Sequence, residues 1–417
     1  MASVPSLWLA RGHAPEEVGT VVVGAGVVGL STAYWLTRSG RRPLVLDADG
    51  VASHASGRNA GFLITGTAEP YTALVRAIGE AAARRLWELS RENRELLCGE
   101  LLDPGRIDCE LVREGSWIAA LAGDAGQERE LRESGERLAA IGLQLEWRDA
   151  AEVRRATGSD RLGGALFQPR DGGLDPVRLC RGMAGLVTRA GGEVRTGVRV
   201  RALEPAGDRV RLLTDGGHLL AERVVLALNA YAPALLPHLH GEIRPVRGQI
   251  LATAPGRRDL SGVWYVNDGY EYLRQLPDGT FILGGCRWAA RDTEVGFEEK
   301  PTARVQGALE EFLRESFPLL ADRPIRHRWA GIMAFTPDGL PRVGEAPGIP
   351  AAIYAAGLNG HGMSLGFATG RWLARRTAGE ESGELFPPVS GEVADPEKAQ
   401  PPAAGLPSLS HRYPRHL

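Results

Sequence analysis

The sequence predicts an α/β fold of two interwoven domains, one a doubly wound nucleotide-binding unit and the other an antiparallel sheet with helices. Three observations carry this. Residues 20–49, TVVVGAGVVGLSTAYWLTRSGRRPLVLDAD, read as a buried strand, a glycine turn, a helix ending at Gly40 and a second strand ending near Asp47. Residues 191–230, and then Arg244 to Trp288, hold short alternating runs divided by Gly and Asp, the pattern of half-buried strands. Residues 72–101 and 124–141 repeat Leu, Ala, Arg and Glu at helical spacing, with Leu86, Leu89, Leu96 and Leu97 available to one face.

The remaining elements follow in order. RGQILATAP, GVWYV, YEYLRQL and TFILGG are candidate strands, 301–315 a helix, and AAIYAAG a strand that feeds a glycine loop and a helix over 362–377. Beyond about residue 384 the chain is rich in Pro, Ala and Ser, and no fixed structure is expected there. A length of 417 residues suits two domains.

Composition narrows the function. Apolar residues at 43%, charged residues at 24% and 54 glycines describe a globular α/β chain with many tight turns. A net charge of -2 argues against nucleic acid as a partner, since its binders present a basic surface. Cys98, Cys109, Cys180 and Cys286 stand far apart with no CxxC pair, so neither a metal site nor a disulfide framework is expected. The N-terminus lacks a basic start followed by an apolar stretch, and no apolar run reaches the ~18 residues of a membrane span. A cytoplasmic location is the expectation.

In GAGVVG, Gly24, Gly26 and Gly29 have the G-x-G-x-x-G spacing directly after a strand and opening a helix. The first permits the turn, the second lets backbone approach a pyrophosphate, and the third lets helix and strand pack closely. Ala25 and Val28 complete the turn, and Asp47, followed by Ala48, closes the second strand where a carboxylate accepts from ribose hydroxyls. A dinucleotide is expected here, and the fingerprint alone does not separate NAD from FAD.

Two further loops decide. ASGRNAG at 55–61 is too small and polar for strand or helix, and GLNGHGMSLG at 357–366 is a second glycine turn opening a helix. Together with the fingerprint they resemble the D-amino-acid-oxidase-like flavoenzymes, of glycine oxidase, sarcosine oxidase and γ-glutamylputrescine oxidase type, over nearly the whole chain. The resemblance implies a glutathione-reductase-type Rossmann domain binding FAD, formed from 16–66, 170–240 and 325–380. A substrate domain would comprise 67–169 and 241–324, and a flexible tail 385–417. It implies that Ser56, Gly57, Arg58, Asn59 and Gly61 offer amides, a hydroxyl and a cation to phosphate and ring, with His54 bordering them. Gly357, Asn359, Gly360, Gly362 and Met363 would meet the other ring edge, where helix amides favour negative charge. His361 is either a chemical group or a turn residue. Val198 matches the position whose backbone meets adenine, and Asn229 follows the strand returning to the cofactor.

The resemblance also implies the chemistry: hydride transfer to flavin N5 from the carbon beside a neutral amine nitrogen, with the imine hydrolysing to a carbonyl compound. The substrate would be a small amine or amino acid, and oxygen or another acceptor would take the electrons. No strong base is required, so positioning is the main demand. Arg247, Tyr265, Tyr270, Tyr272 and Arg287, with Trp288, are the candidates, and strand alternation sends only some of them into the pocket. One of the two arginines is expected to fix a substrate carboxylate.

Three positions depart from family patterns. Ile282 stands where some members carry a Lys over the flavin, Ser364 replaces a carboxylate-binding Lys, and Gly331 replaces the Cys that links flavin in sarcosine oxidases. The segment HASG aligns with a His-Ala-small-Gly loop that links flavin through its histidine, which leaves a covalent bond at His54 open beside non-covalent binding. Two other functions compete, a non-catalytic flavoprotein serving in assembly and an RNA-modifying flavoenzyme of the same fold.

Overall fold

A computed structural model describes residues 16–143 and 145–387. The stretch read for a leader, residues 1–15, and the expected tail from residue 388 onward lie outside the described residues.

The first sheet runs in the order Arg342–Ala346, Ile349–Ala356, Gly217–Leu226, Glu16–Val23, Leu44–Asp47, Glu193–Thr196. Every pairing after the first is parallel, and a hairpin of Val200–Ala206 and Arg209–Thr214 lies antiparallel on Gly217–Leu226. Parallel strands buried on both faces are near-continuous apolar runs, and Val21, Val22, Leu44, Val45, Leu46, Val224, Val225 and Leu226 are accordingly almost wholly buried. The Val27–Arg38 helix packs beside the Gly362–Ala378 helix, with Gly366 in contact with Val27 and Val28. Both helices therefore start at the same end of the sheet, the C-terminal end of the parallel strands where such folds take ligands.

The second sheet has the order Ile325–Phe335, Arg244–Thr253, Phe281–Gly285, Glu271–Gln275, Val263–Val266, Ser116–Leu121, Leu162–Gln168, Glu146–Arg148. All pairings are antiparallel except Val263–Val266 with Ser116–Leu121. Strand period sorts its side chains: Leu251, Trp264, Leu273 and Leu283 pack under the Ala303–Ser316 helix, while Ile250, Val263, Tyr265, Tyr272, Ile282 and Trp329 turn to the opposite face with Phe62 and Ile64. That second face looks toward the loop 55–61.

Pairing moves one expected boundary. Ile325–Phe335 joins the second sheet through Arg244–Thr253, and the chain returns to the first sheet only at Arg342. Leu385, expected to begin the tail, is buried, and its carbonyl accepts from Arg85 Nε at 3.1 Å. The helices at Tyr71–Ile78, Glu80–Leu97 and Ala125–Ala140 are where helical spacing puts them.

Candidate active site

The glycine turn is built as the fingerprint requires. Gly24 has φ 110°, and a Cβ on Gly29 would lie 1.9 Å from the Gly24 carbonyl oxygen, so helix and strand approach more closely than any side chain permits. Ala25 N–H donates to Asp47 Oδ2 at 2.7 Å, while Asp49 and Gly50 N–H donate to Asp47 Oδ1 at 2.9 Å each. Asp47 thus ties the two loops of the nucleotide site together and remains partly exposed. Asp47→Ala is expected to weaken FAD binding by about 1–3 kcal/mol, for a lost charge-assisted acceptor. Reconstitution of apoprotein measures it, and unchanged affinity would remove Asp47 from the site. Val28 differs from the expectation in part: its side chain lies in the core, so only its backbone is available to a ligand. Val198 N–H donates to the Asp47 carbonyl at 3.0 Å, which sets its backbone at the edge of the same site.

In the loop 55–61, Ser56 Oγ accepts from Val27 N–H at 3.0 Å at the start of the fingerprint helix. Asn59 braces the loop internally, donating to the carbonyls of Ala55 and Ser56 and accepting from Gly61 N–H. Arg58 corrects the expectation of a phosphate cation. Its guanidinium donates to the carbonyls of Ser53 and Ala330 at 3.0 Å and pairs with Glu299 at 3.1 Å, and Trp329 Nε1 donates to its carbonyl. Arg58 is therefore a tie between this loop and the second sheet, and Gly331 stands against it: a Cβ there would lie 2.9 Å from Arg58 Cβ. His54 is engaged at both nitrogens, Nδ1 with Glu299 at 3.1 Å and Nε2 with Asp49 at 2.8 Å. Burial opposes its charge, but the two carboxylates outweigh that and raise its pKa above the ordinary histidine value. A ring so occupied has neither nitrogen directed at a flavin methyl group, which speaks against the covalent link.

The turn at 357–363 is held from three sides. Asn229, in left-handed backbone at φ 46°, accepts from Leu358 N–H at 3.2 Å. Asn359 accepts from Thr336 N–H at 2.9 Å and donates to the Gly357 carbonyl at 2.7 Å. His361 Nε2 accepts from Ala68 N–H at 3.0 Å, so this histidine pins the loop 64–70 to the turn and its Nε2 lone pair is not available for base chemistry. Asn93, fully buried and given no signal by the sequence, donates to the Met363 carbonyl and accepts from Phe367 and Ala368 N–H. It fixes the helix start from behind.

Across the second sheet, Tyr265, Tyr272, Gly284, Ile250 and Trp329 form one row of register on the inner face. A Cβ on Gly284 would enter the Tyr272 ring at 2.3 Å, so the glycine makes room for that ring. Phe62 meets both tyrosines edge-on, with ring centroids 5.3 and 6.2 Å away. Burial raises both phenol pKa values, keeping them neutral hydrogen-bond donors. Tyr270 precedes the strand in a turn whose backbone packs on Ala68. Arg287, partly buried, lies 5.6 Å over the Phe335 ring, and its charge reaches Tyr270 and Tyr272.

Arg247 is a correction. Its Nε and Nη2 donate to the two oxygens of Glu294 at 2.7 and 3.0 Å, and further bonds go to the carbonyls of Glu298 and Thr293. Glu294 is fully buried and also accepts from Gln249 and Thr302. A guanidinium closed in this way is an internal clamp, which leaves Arg287 as the other of the two arginines expected to meet a carboxylate.

Acids near the site also escaped the sequence reading. Asp171, fully buried, accepts from Thr65 N–H and Oγ1 and from Ser116 Oγ, with Arg94 Nε at 3.6 Å; burial still lifts its carboxyl to about 6. It fixes the start of the loop 64–70. Glu69 lies on that loop, its carboxylate 3.8 Å from His361 Nε2 and close enough for its charge to act on Tyr265 and Asp268.

The residues fit FAD. The helices at Val27 and Gly362 carry no acid in the first turn and no bond from their own N-cap side chains, so their amides are suited to a pyrophosphate and to a ring carbonyl respectively. The tyrosine face lies opposite. Among the described residues no group of acids, histidines and cysteines is placed to hold a metal ion, and no helix is long and apolar enough to cross a membrane.

Known proteins resemble this chain in sequence and fold. The chain is 28% identical over 369 residues to the γ-glutamylputrescine oxidoreductase of Escherichia coli K12, covering 86% of this chain and 83% of that protein. It is 27% identical over 397 residues to the glycine oxidase of Bacillus licheniformis, covering 92% and 98%. The crystal structure of glycine oxidase from Geobacillus kaustophilus superposes with a TM-score of 0.75 at 22% identity, over 89% of this chain and 97% of that one. Residues 20–376 match the family described as FAD dependent oxidoreductase, abbreviated DAO. With its fingerprint, its two ring-edge loops and its two-sheet fold, the chain belongs to this family of FAD dependent oxidoreductases, and FAD is its cofactor.

Proposed function

We propose that this protein oxidises a C–N bond in a small amine or amino acid. The observation that carries this reading is the inner face of the second sheet, where two neutral tyrosines and Ile282 oppose the loop 55–61 with Arg287 at the margin. When bound, FAD accepts the hydride. The chain holds the substrate carbon in place: Tyr265 and Tyr272 donate hydrogen bonds, Arg287 takes a carboxylate, and Glu69 supplies the negative charge beside which an ammonium group docks. The partly buried tyrosines stay protonated and so do not serve as proton acceptors, and the substrate enters with its amine neutral or loses a proton to solvent past Glu69. The relatives' names, oxidoreductase of γ-glutamylputrescine and oxidase of glycine, support an amine substrate. Oxygen or another acceptor closes the cycle, flavin is held non-covalently in a cytoplasmic protein, and a net charge of -2 argues against a nucleic-acid partner.

The purified protein is expected to be yellow, to release its flavin on denaturation, and to bleach anaerobically with at least one member of a panel containing glycine, D-alanine, N-methylglycine, L-proline, 4-aminobutyrate and putrescine. Flavin that stays with the denatured chain would restore the His54 link. A flavin that no amine or amino acid reduces would favour the assembly role.

A further inference from the structure

Glu271 opens the Glu271–Gln275 strand on the face turned away from the tyrosine row, and is 1% exposed. Its carboxylate joins two turns. Oε2 accepts from Asn267 Nδ2 at 3.0 Å; Oε1 accepts from Trp288 Nε1 at 2.7 Å and from Cys286 Sγ at 3.6 Å. The first turn ends in Tyr270, and the second has Arg287 between Cys286 and Trp288. Both turns need backbone that ordinary side chains avoid: Asn267 and Asp268 at φ 54°, Cys286 at φ 51°. Such left-handed residues persist where their surroundings over-determine them.

The contacts have a fixed direction. Leu121 N–H donates to Gln127 Oε1, so the Gln127 amide nitrogen faces Asn267 Oδ1 at 3.2 Å and Asp268 Oδ2 at 3.3 Å. Asn267 must then present its own NH2 to Glu271, because a flipped amide would set two NH2 groups against each other.

We propose that Glu271 is a positioning residue, which through Asn267 and the Cys286–Trp288 turn sets Tyr270 and Arg287 toward the substrate. This rests on Arg287 as the carboxylate anchor. The groups facing the Glu271 carboxylate are Asn267 and Asp268 of its own hairpin and Cys286 and Trp288 of the next turn, with Glu311 of the Ala303–Ser316 helix acting on Cys286; the cations Arg287 and Arg291 act on the neighbouring Tyr270, and no ion pair to Glu271 is seen among the described residues. Burial therefore lifts the Glu271 carboxyl to about 7. A proton on Oε2 replaces an acceptor with a donor that Asn267 Nδ2 cannot meet, and the alignment of both turns slackens as pH falls through that value.

The test follows anaerobic flavin reduction from pH 6 to 9, with the fastest carboxylate-bearing substrate of the panel and with putrescine as the control. Wild type is expected to need less carboxylate substrate for half-maximal reduction as pH rises through about 7. Glu271→Gln should need roughly tenfold more at pH 8, with a limiting rate within about twofold and no inflection near 7. Glu271→Asp, which keeps the charge, should recover the inflection. The pH dependence of the substrate amine is common to all variants and cancels in their ratio. Should Glu271→Gln not fold, Trp288→Phe, which removes one donor to Oε1, is expected to shift the inflection. Variants that bind flavin normally and match the wild-type profile overturn the proposal. If Arg287→Ala leaves carboxylate substrates untouched, the anchor reading fails; if it weakens them while Glu271 variants do not, only the positioning role fails.

Discussion

Arg247→Ala is expected to destabilise the protein by about 3–5 kcal/mol rather than to weaken substrate binding. Removing the guanidinium leaves Glu294 fully buried with its charge uncompensated, and an orphaned partner of a buried pair carries a cost of that size. Burial works against the Glu294 carboxylate, but the bonds from Arg247, Gln249 and Thr302 together hold its pKa below the ordinary 4.5. The clamp therefore contributes fully above that ordinary value and is lost as acid carries the pH through the depressed one. Urea midpoints at pH 7 measure the change. Arg247→Met combined with Glu294→Met should be less damaging than Arg247→Ala alone, because neither charge is then stranded. A wild-type midpoint together with a raised substrate requirement would return Arg247 to the pocket.

Arg247 also marks the limit of what the sequence discloses. An arginine on a strand amid aromatics reads alike whether it meets a ligand or a carboxylate 47 residues onward, as Glu294 is. The elements that were legible are those set by local chemistry. Gly24 and Gly29 are required by a turn and a close approach within one βαβ unit, and Asp47 ends its second strand. Strand alternation likewise implied that only some of Tyr265, Tyr270 and Tyr272 enter the pocket, and Tyr265 and Tyr272 are the two that pack with Phe62 on the inner face. Those constraints act between residues close in the chain or on the same strand.

Long-range polar contacts left no such signal. Asn93 lies 270 residues before Met363, whose carbonyl it binds, and Asp171 reaches Thr65 across 106 residues. Both sit in stretches whose composition is that of an ordinary helix or turn. Arg58 was legible as belonging to the cofactor loop, but not its purpose, because Glu299 and Ala330 come from far along the chain. Buried acids with few charged partners, such as Glu271 and Asp171, are visible only once burial is known, since the same letter on a strand is usually solvated.

Arg287→Ala is expected to raise the concentration of a carboxylate-bearing substrate needed for half-maximal flavin reduction by roughly tenfold to a hundredfold, about 1.4–2.8 kcal/mol. The side chain stands over Phe335, and its charge reaches the phenols of Tyr270 and Tyr272. A guanidinium there can take a carboxylate through two parallel N–H bonds, a geometry that lysine does not reproduce, so Arg287→Lys should recover only part of the loss. Bound FAD should be retained in both variants, because Arg287 lies outside the fingerprint and outside the loops 55–61 and 357–363. Putrescine, with no carboxylate, should lose far less and can gain, since removing a cation leaves Glu69 as the nearer charge. Equal losses for both substrate classes would mean that Arg287 shapes the pocket without binding the carboxylate. No loss for either would place substrate recognition on Tyr265, Tyr272 and Glu69, and the preferred substrate would then be a cationic amine.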